Sequence, residues 1–195
     1  MSSKITSSFV ACTLALSGVA QASDPIVRPI VPVEIEVSSA YKLFLSGHAV
    51  GTQNYICAPA AVPSGVDWLF IGPQATVFNA YGEQLLTHFQ SQNPLQANAL
   101  HATWQHSGDT SAAWAKKLRG STDPAYVAPD AIEWLLLEVT GRRIGPTGGV
   151  KLATPVYIQR VNTVGGMKPP SAECTAAVIN TRRLVAYEAD YYFYK

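Results

Sequence analysis

Charge is scarce in this sequence. Lysine and arginine together number 14, and aspartate and glutamate 13, among 195 residues. No basic run forms; Arg142-Arg143 and Arg182-Arg183 are only pairs. Such a balance steers the chain toward neither nucleic acid nor an anionic membrane surface. No segment beyond the N-terminus stays apolar long enough to cross a bilayer as a helix, so no integral membrane association is expected. A Gly-x-Ser-x-Gly nucleophile elbow is missing. Gly145-Pro146-Thr147-Gly148-Gly149 lacks the lysine and helix that would make it a phosphate cradle. Histidine is limited to His48, His88, His101 and His106. None of these pairs has helical i, i+4 or tight strand spacing, so neither a metal nor another cofactor is expected.

Cysteine is equally sparse: Cys12, Cys57 and Cys174. Residues 1–22 read as a signal peptide. Lys4 supplies the positive start, Ile5 to Leu16 the apolar region, and Ala20-Gln21-Ala22 a small-residue cleavage signature. A lipoprotein reading at Cys12 would leave almost no apolar region before it. Removing Lys4 with the leader brings the formal charge to zero. Cleavage also removes Cys12 and leaves two cysteines in an exported chain, which suggests a Cys57–Cys174 disulfide in a periplasmic or extracellular protein. Closing so long a loop would stabilise by ~4 kcal/mol on chain-entropy grounds. Two buried free thiols are the alternative.

What is abundant is alternation. Residues 23–46, with Pro25, Pro29 and Pro32, read as an extended N-terminal arm. Val33 to Val37 alternates apolar and acidic residues and suits an edge strand or a solvated tail. Residues 47–195 read as one β-rich domain of short strands and turns. Thr52 to Cys57, Trp68 to Ile71, Ala75 to Phe78 and Gln84 to Phe89 form a meander. Gln90 to Leu100 is polar, carries Pro94 and reads as a long surface loop. Asp109 to Leu118 has a cap candidate and good helix formers, which alone argue for a short helix. Ile132 to Val139 is a nearly continuous apolar run, expected as a central strand, and Gly141 to Gly149 is a loop. Leu184 to Tyr194 closes the chain in strict alternation. Val185, Tyr187, Ala189, Tyr191 and Phe193 share one face, and Glu188, Asp190, Tyr192 and Tyr194 the other. The pattern argues for an all-β sandwich or small barrel, mostly antiparallel, with at most one or two short helices.

The most specific stretch is Tyr157-Ile158-Gln159-Arg160-Val161-Asn162-Thr163-Val164-Gly165-Gly166, followed by Cys174. With Gly51-Thr52-Gln53-Asn54-Tyr55-Ile56-Cys57, Trp68 and Gly72-Pro73-Gln74-Ala75, Thr87-His88-Phe89, Trp134-Leu135-Leu136-Leu137 and the closing Tyr187-to-Tyr194 segment, it resembles the secreted family of bacterial and fungal proteins called domain of unknown function 3455. The resemblance spans roughly Gly51 to Tyr194. It implies a secreted β-rich domain with a turn and a strand where local propensity suggests the short helix, and it implies no established reaction. The family usually passes quickly from the His-aromatic pair to Gly-Pro-Thr-Trp and Asp-Gly-Ser. Here Gln90 to Leu100 intervenes, and the pieces read His101-Ala102-Thr103-Trp104 and Ser107-Gly108-Asp109.

Candidate chemistry gathers in few places. An arginine inside an apolar strand needs an acceptor, so Arg160 is expected to form a structural ion pair with Asp190, or else with Glu138. The functional alternative is a clamp on a ligand carboxylate or sugar. Glu188 and Asp190 lie about 7 Å apart on one strand face, a spacing that suits solvent-facing carboxylates or general acid–base work. Trp68 and Trp134 are expected in the core. Trp104 beside His101 and His106 is either a rim residue or an exposed aromatic that grips a sugar. Ser107 with His106 and Asp109 is mere adjacency. The leading reading is a non-enzymatic binding domain for a small molecule or glycan, for which His88, Trp104, Gln159 and Arg160 would converge in one pocket. A hydrolase using Glu188 and Asp190 or the His101-to-Asp109 segment is the second reading, and a structural envelope or matrix protein the third.

Overall fold

The computed structural model describes residues 26–195. The leader expected at 1–22, with Cys12, lies outside the described residues. Eight strands form a closed barrel in sequence order: β1 Leu43–Pro59, β2 Val66–Phe78, β3 Gln84–Asn93, β4 Ala99–His106, β5 Ala112–Ser121, β6 Trp134–Arg143, β7 Tyr157–Gly165 and β8 Arg182–Tyr194. Every pairing is antiparallel, and β8 returns to β1 through Val50↔Glu188 and Gly51↔Tyr187. Of the two expected architectures it is therefore the barrel. No helix among the described residues is long and apolar enough to cross a membrane.

Alternation decides what lies inside. Ala75, Val77, Leu86, Trp104, Ala113, Ala115, Leu135, Leu137, Val139, Ile158 and the β8 face of Tyr187, Ala189, Tyr191 and Phe193 form one interior cluster. Trp68 and Trp134 are buried as expected, but in satellite clusters rather than in the lumen. A closed ring has no central strand, so β6 is simply one stave. The Asp109-to-Leu118 segment is a turn and then β5, as the resemblance implied. Its alanines Ala113 and Ala115 face inward opposite Trp104 and Ala102, and this pairing overrides their helix propensity.

Three further expectations change. Gln90 to Leu100 is no long loop: β3 runs to Asn93, and a tight hairpin tip holds Ala97 and Asn98 at φ 49° and 61° before β4 begins. Asn93 makes this turn, accepting from the amides of Gln96 and Asn98 on its carbonyl and from Leu95 on its side chain. β6 likewise runs two residues past Gly141 before its loop begins. Finally, Val33–Ile35 is a single 3-10 turn rather than a strand. A closed barrel offers no free edge for another strand to join.

The arm lies against the outer wall. Ile35 is fully buried with Val37 against Val127, Trp134, Leu136, Val161 and Tyr194, a contact that contributes about 1.5–3 kcal/mol for a side chain of this size. Ser121 donates to Glu34 at 2.5 Å, and Arg28 donates to the carbonyls of Val37 and Tyr41. The expected domain start at residue 47 falls inside β1.

The two ends of the barrel differ. At one end the β6–β7 connection inserts Leu152, wholly buried, beneath Val77, Leu86, Ile158 and Phe193. Asp109 holds this plug. Its carboxylate accepts from Ser111 Oγ at 2.6 Å, Ser111 N at 3.0 Å and Lys151 N at 2.9 Å, while Ser111 Oγ accepts from Leu152 N at 2.9 Å. Gly149 passes so close that a Cβ there would meet the Asp109 carbonyl at 2.1 Å. At the other end β7 stops at Gly165-Gly166, with φ of 62° and 79°, which only glycine adopts at ease. Here the Cys57–Cys174 disulfide, spanning 117 residues, ties the β7–β8 connection to β1. This end is open.

Candidate functional site

β3, β4, β7 and β8 bring His88, Trp104, Arg160 and Tyr191 onto the inner wall. A cavity of about 290 Å³ reaches them between Leu135, Leu137 and Ala115. Past Gln53, Phe70, Leu135 and Arg160 it opens into an outer chamber of about 850 Å³ beneath the β5–β6 connection, where Val127, Ile132 and Met167 contribute apolar surface. An eight-stranded barrel is just wide enough to be filled by side chains or to hold one small molecule, and this one is filled at one end only.

Three of the four expected site residues meet here. The fourth, Gln159, is buried on the outside of the same strand. Its amide donates to the Ile35 carbonyl at 2.7 Å and accepts from the Tyr194 hydroxyl at 2.5 Å. Gln159 is therefore a fastener for the arm. Trp104 is no exposed platform: it is fully buried beneath the cavity, stacked on His88 with ring centroids 4.1 Å apart and planes 11° from parallel.

The expected pair of Arg160 with Asp190 does not form. Arg160 aligns with Tyr191 across the β7–β8 ladder, whereas Asp190 aligns with Val161. Successive residues face opposite sides of the wall, so Arg160 points into the barrel and Asp190 away from it. Asp190 instead meets His48 Nδ1 at 2.8 Å and accepts from Asn162 at 2.8 Å. The alternative partner Glu138 also lies outside, 3.6 Å from Lys116. Arg160 donates through Nη2 to the Glu133 carbonyl at 2.9 Å, while the Glu133 carboxylate is taken up by Lys117 at 2.6 Å. Lys168 at the outer chamber is paired with Asp67 at 2.8 Å. Among the described residues, Arg160 is thus the cation lining these chambers that has no carboxylate.

Other donors here are also unpartnered. Gln53 Nε2, Trp104 Nε1 and Arg160 Nε are buried without a hydrogen-bond partner among the described residues. Each such donor costs about 1–3 kcal/mol while it stays unmet. His88 has a fixed tautomer. Its Nδ1 lies 2.9 Å from the Thr103 carbonyl, which only accepts, so Nδ1 carries the proton and Nε2 the lone pair. Burial pulls this imidazole down to about 3, against the Thr103 carbonyl and aided by the Arg160 charge. Burial likewise raises the Tyr191 phenol, with Arg160 pulling the other way. The interior is therefore neutral apart from one guanidinium.

The hydrolase candidates lie elsewhere. Glu188 and Asp190 are on the outer wall beside His48. His106 Nδ1 accepts from the amides of Gly108 and Asp109, and Asp109 is engaged in the plug. His101 bonds Thr140 at 2.7 Å. Among the described residues no group of three or more His, Cys, Asp or Glu side chains could hold a metal.

Gln53 and Tyr191 line the cavity but are not among the site residues expected from sequence. The β8 alternation places Tyr191 on an inner face, and that signal reads equally as core.

The sequence matches the family described as Protein of unknown function (DUF3455) over residues 38–195. No curated protein and no solved structure matches the chain.

Proposed function

We propose that this chain, which belongs to the DUF3455 family of proteins of unknown function, binds a small carboxylate-bearing molecule in the open end of its barrel. The observation that carries this reading is the inward guanidinium of Arg160 with no carboxylate among the described residues. Arg160 is half-buried with its Nε shut away and unpartnered, and a cation so placed gains from a counter-charge that something else must supply. The planar fork of arginine suits a carboxylate better than a point charge does. Gln53 and Trp104 offer further donors, and Leu135, Leu137 and Phe70 offer apolar surface for the body of the molecule. Few polar groups in an apolar concavity is the usual composition of a small-molecule site.

The glycan alternative has less support, because the aromatic meant to carry a sugar is buried. The hydrolase alternative has less support, because among the described residues Glu188 and Asp190 sit on the outer wall beside His48. Binding also accounts for the position of the disulfide, since the Cys57–Cys174 bond braces the end that must stay hollow.

Calorimetric titration with benzoate and with uncharged benzamide tests the reading. Benzoate is expected to bind saturably and benzamide at least tenfold more weakly, with benzoate binding lost in Arg160→Leu. Equal affinity for acid and amide, or full benzoate affinity in a folded Arg160→Leu protein, contradicts it.

A further inference from the structure

The carboxylate reading leaves the His88 imidazole at the cavity unused. His88 is 3% exposed, held from below by the parallel indole of Trp104 and from the side by Tyr191 at 5.1 Å between ring centroids. Its Nδ1–H is committed to the Thr103 carbonyl. Its Nε2 has no hydrogen-bond partner among the described residues, and the ring lines the same cavity as Arg160. Gln53 Nε2, a donor on the same wall, is itself unpartnered and so does not meet the His88 lone pair. Arg160 and Trp104 supply donors only. His88 Nε2 is an acceptor on this wall, beside the Gln53 amide oxygen and the Tyr191 hydroxyl.

We infer that the ligand is a hydroxy acid, whose carboxylate is held by Arg160 and whose hydroxyl donates to His88 Nε2. The inference rests on the carboxylate reading and narrows it. A plain carboxylic acid would meet Arg160 but leave the imidazole lone pair desolvated and unmet. A hydroxyl with its own proton satisfies it. Water reaching down the same cavity would do so only until an apolar ligand displaced it, and a displaced water whose bonds are not replaced costs affinity. Sites built to hydrogen-bond a substrate hydroxyl discriminate strongly against analogues that lack it.

The stack fixes the direction of this acceptor. With Trp104 parallel at 4.1 Å and Nδ1 tied to the β4 backbone, the ring has no freedom to turn Nδ1–H toward the ligand. The same tie makes the tautomer independent of pH over the ordinary range, because burial holds the imidazole deprotonated down to about 3. The hydroxyl preference should therefore be flat from pH 8 to pH 5, unlike that of an ordinary histidine.

Benzoate and its three hydroxylated isomers, which carry the hydroxyl at successive distances from the carboxylate, supply the test. Affinities for the native, disulfide-bonded protein would be measured by calorimetry at pH 8, 6.5 and 5, with His88→Phe and His88→Gln alongside. At least one hydroxybenzoate is expected to bind tenfold or more tighter than benzoate, with the ratio unchanged over that pH range. His88→Phe should bring the ratio of hydroxybenzoate to benzoate affinity to near one, whatever it does to the affinity for benzoate itself. His88→Gln, whose amide oxygen is an acceptor, should restore part of it. If benzoate binds through Arg160 and no hydroxyl improves it, the hydroxy-acid inference falls and the carboxylate reading stands. A preference that titrates near pH 6.5 also overturns the inference. If neither benzoate nor any isomer binds, both are overturned.

Discussion

Val77, Leu86, Leu152, Ile158 and Phe193 close one end of the barrel without a polar side chain among them, whereas the other end gathers Gln53, His88, Arg160 and Tyr191 around a cavity. Both ends are built on the same eight staves. The closed end maximises burial; the open end keeps a half-buried charge and unmet buried donors, and each such donor reduces stability. A chain selected only for folding would put apolar side chains at Gln53 and Arg160 too. The contrast is what supports placing the proposed site at the open end, and it also fits the position of the disulfide. Packing holds the closed end, and a covalent tie holds the end that packing leaves thin.

The largest expected effect comes from cutting that tie. Replacing Cys57 and Cys174 with alanine should destabilise by about 5 kcal/mol, from the entropy of freeing so long a loop. Hydrogen exchange should then rise first around residues 166–181 and in the outer halves of β1 and β2. Uniform acceleration at Leu152 and Phe193 would erase the contrast. Next is the closed end itself. Phe193→Ala should cost about 3–5 kcal/mol in urea unfolding, since it opens a cavity among rigid neighbours. A cost below about 1 kcal/mol would mean that this end is not tightly packed.

The pH dependence follows from His88. The unfolded chain takes up a proton at this residue near pH 6.5, and the native chain refuses it until about 3. Stability should therefore fall as pH drops through this window, by at most about 1.4 kcal/mol per unit. Between pH 6.5 and pH 5 the loss should be about 2 kcal/mol, and His88→Gln should remove most of it. Asp109 acts lower. Burial opposes ionisation, but the bonds from Ser111 and Lys151 hold its carboxyl at about 2, so its contribution persists until the pH falls below the ordinary carboxylate range. The smallest effect is expected at Arg160. Arg160→Leu should shift stability by less than about 1 kcal/mol in either direction, because it puts an apolar side chain in place of a half-buried charge that has no carboxylate partner. A cost of 3 kcal/mol or more would make Arg160 a structural residue after all.

Much of the barrel is legible in the chain. The alternation of Val185 to Phe193 by itself marks the inner face of β8, and the Gly165-Gly166 break marks the end of β7. The Cys57–Cys174 bond follows from compartment and count. What stays hidden depends on register. Arg160 and Asp190 both sit on strands that pair, but sequence does not say which residue lies opposite which, and a shift of one position reverses every side chain. The same ambiguity puts Gln159, one residue from Arg160, in the pocket on sequence grounds and outside it in the barrel. Polar composition masks the strand at Gln90 to Asn93, because a barrel wall can carry polar side chains on its wet face. The alanines and lysines of β5 suit a helix locally, and only the need for small residues opposite Trp104 makes them a strand.

The four indole N–H groups offer the most direct measurement. Trp68 donates to the Pro170 carbonyl at 3.2 Å and Trp114 to Ser91 at 2.9 Å. Trp134 is also unpartnered but lies in the outer cluster under the arm, while Trp104 is unpartnered beneath the cavity. In a proton–nitrogen correlation spectrum, titration with benzoate should move the Trp104 indole signal saturably and leave the other three in place. The movement should vanish in Arg160→Leu. A Trp104 signal that stays fixed while benzoate saturates the protein, or one that moves equally in Arg160→Leu, would contradict a carboxylate site at the open end.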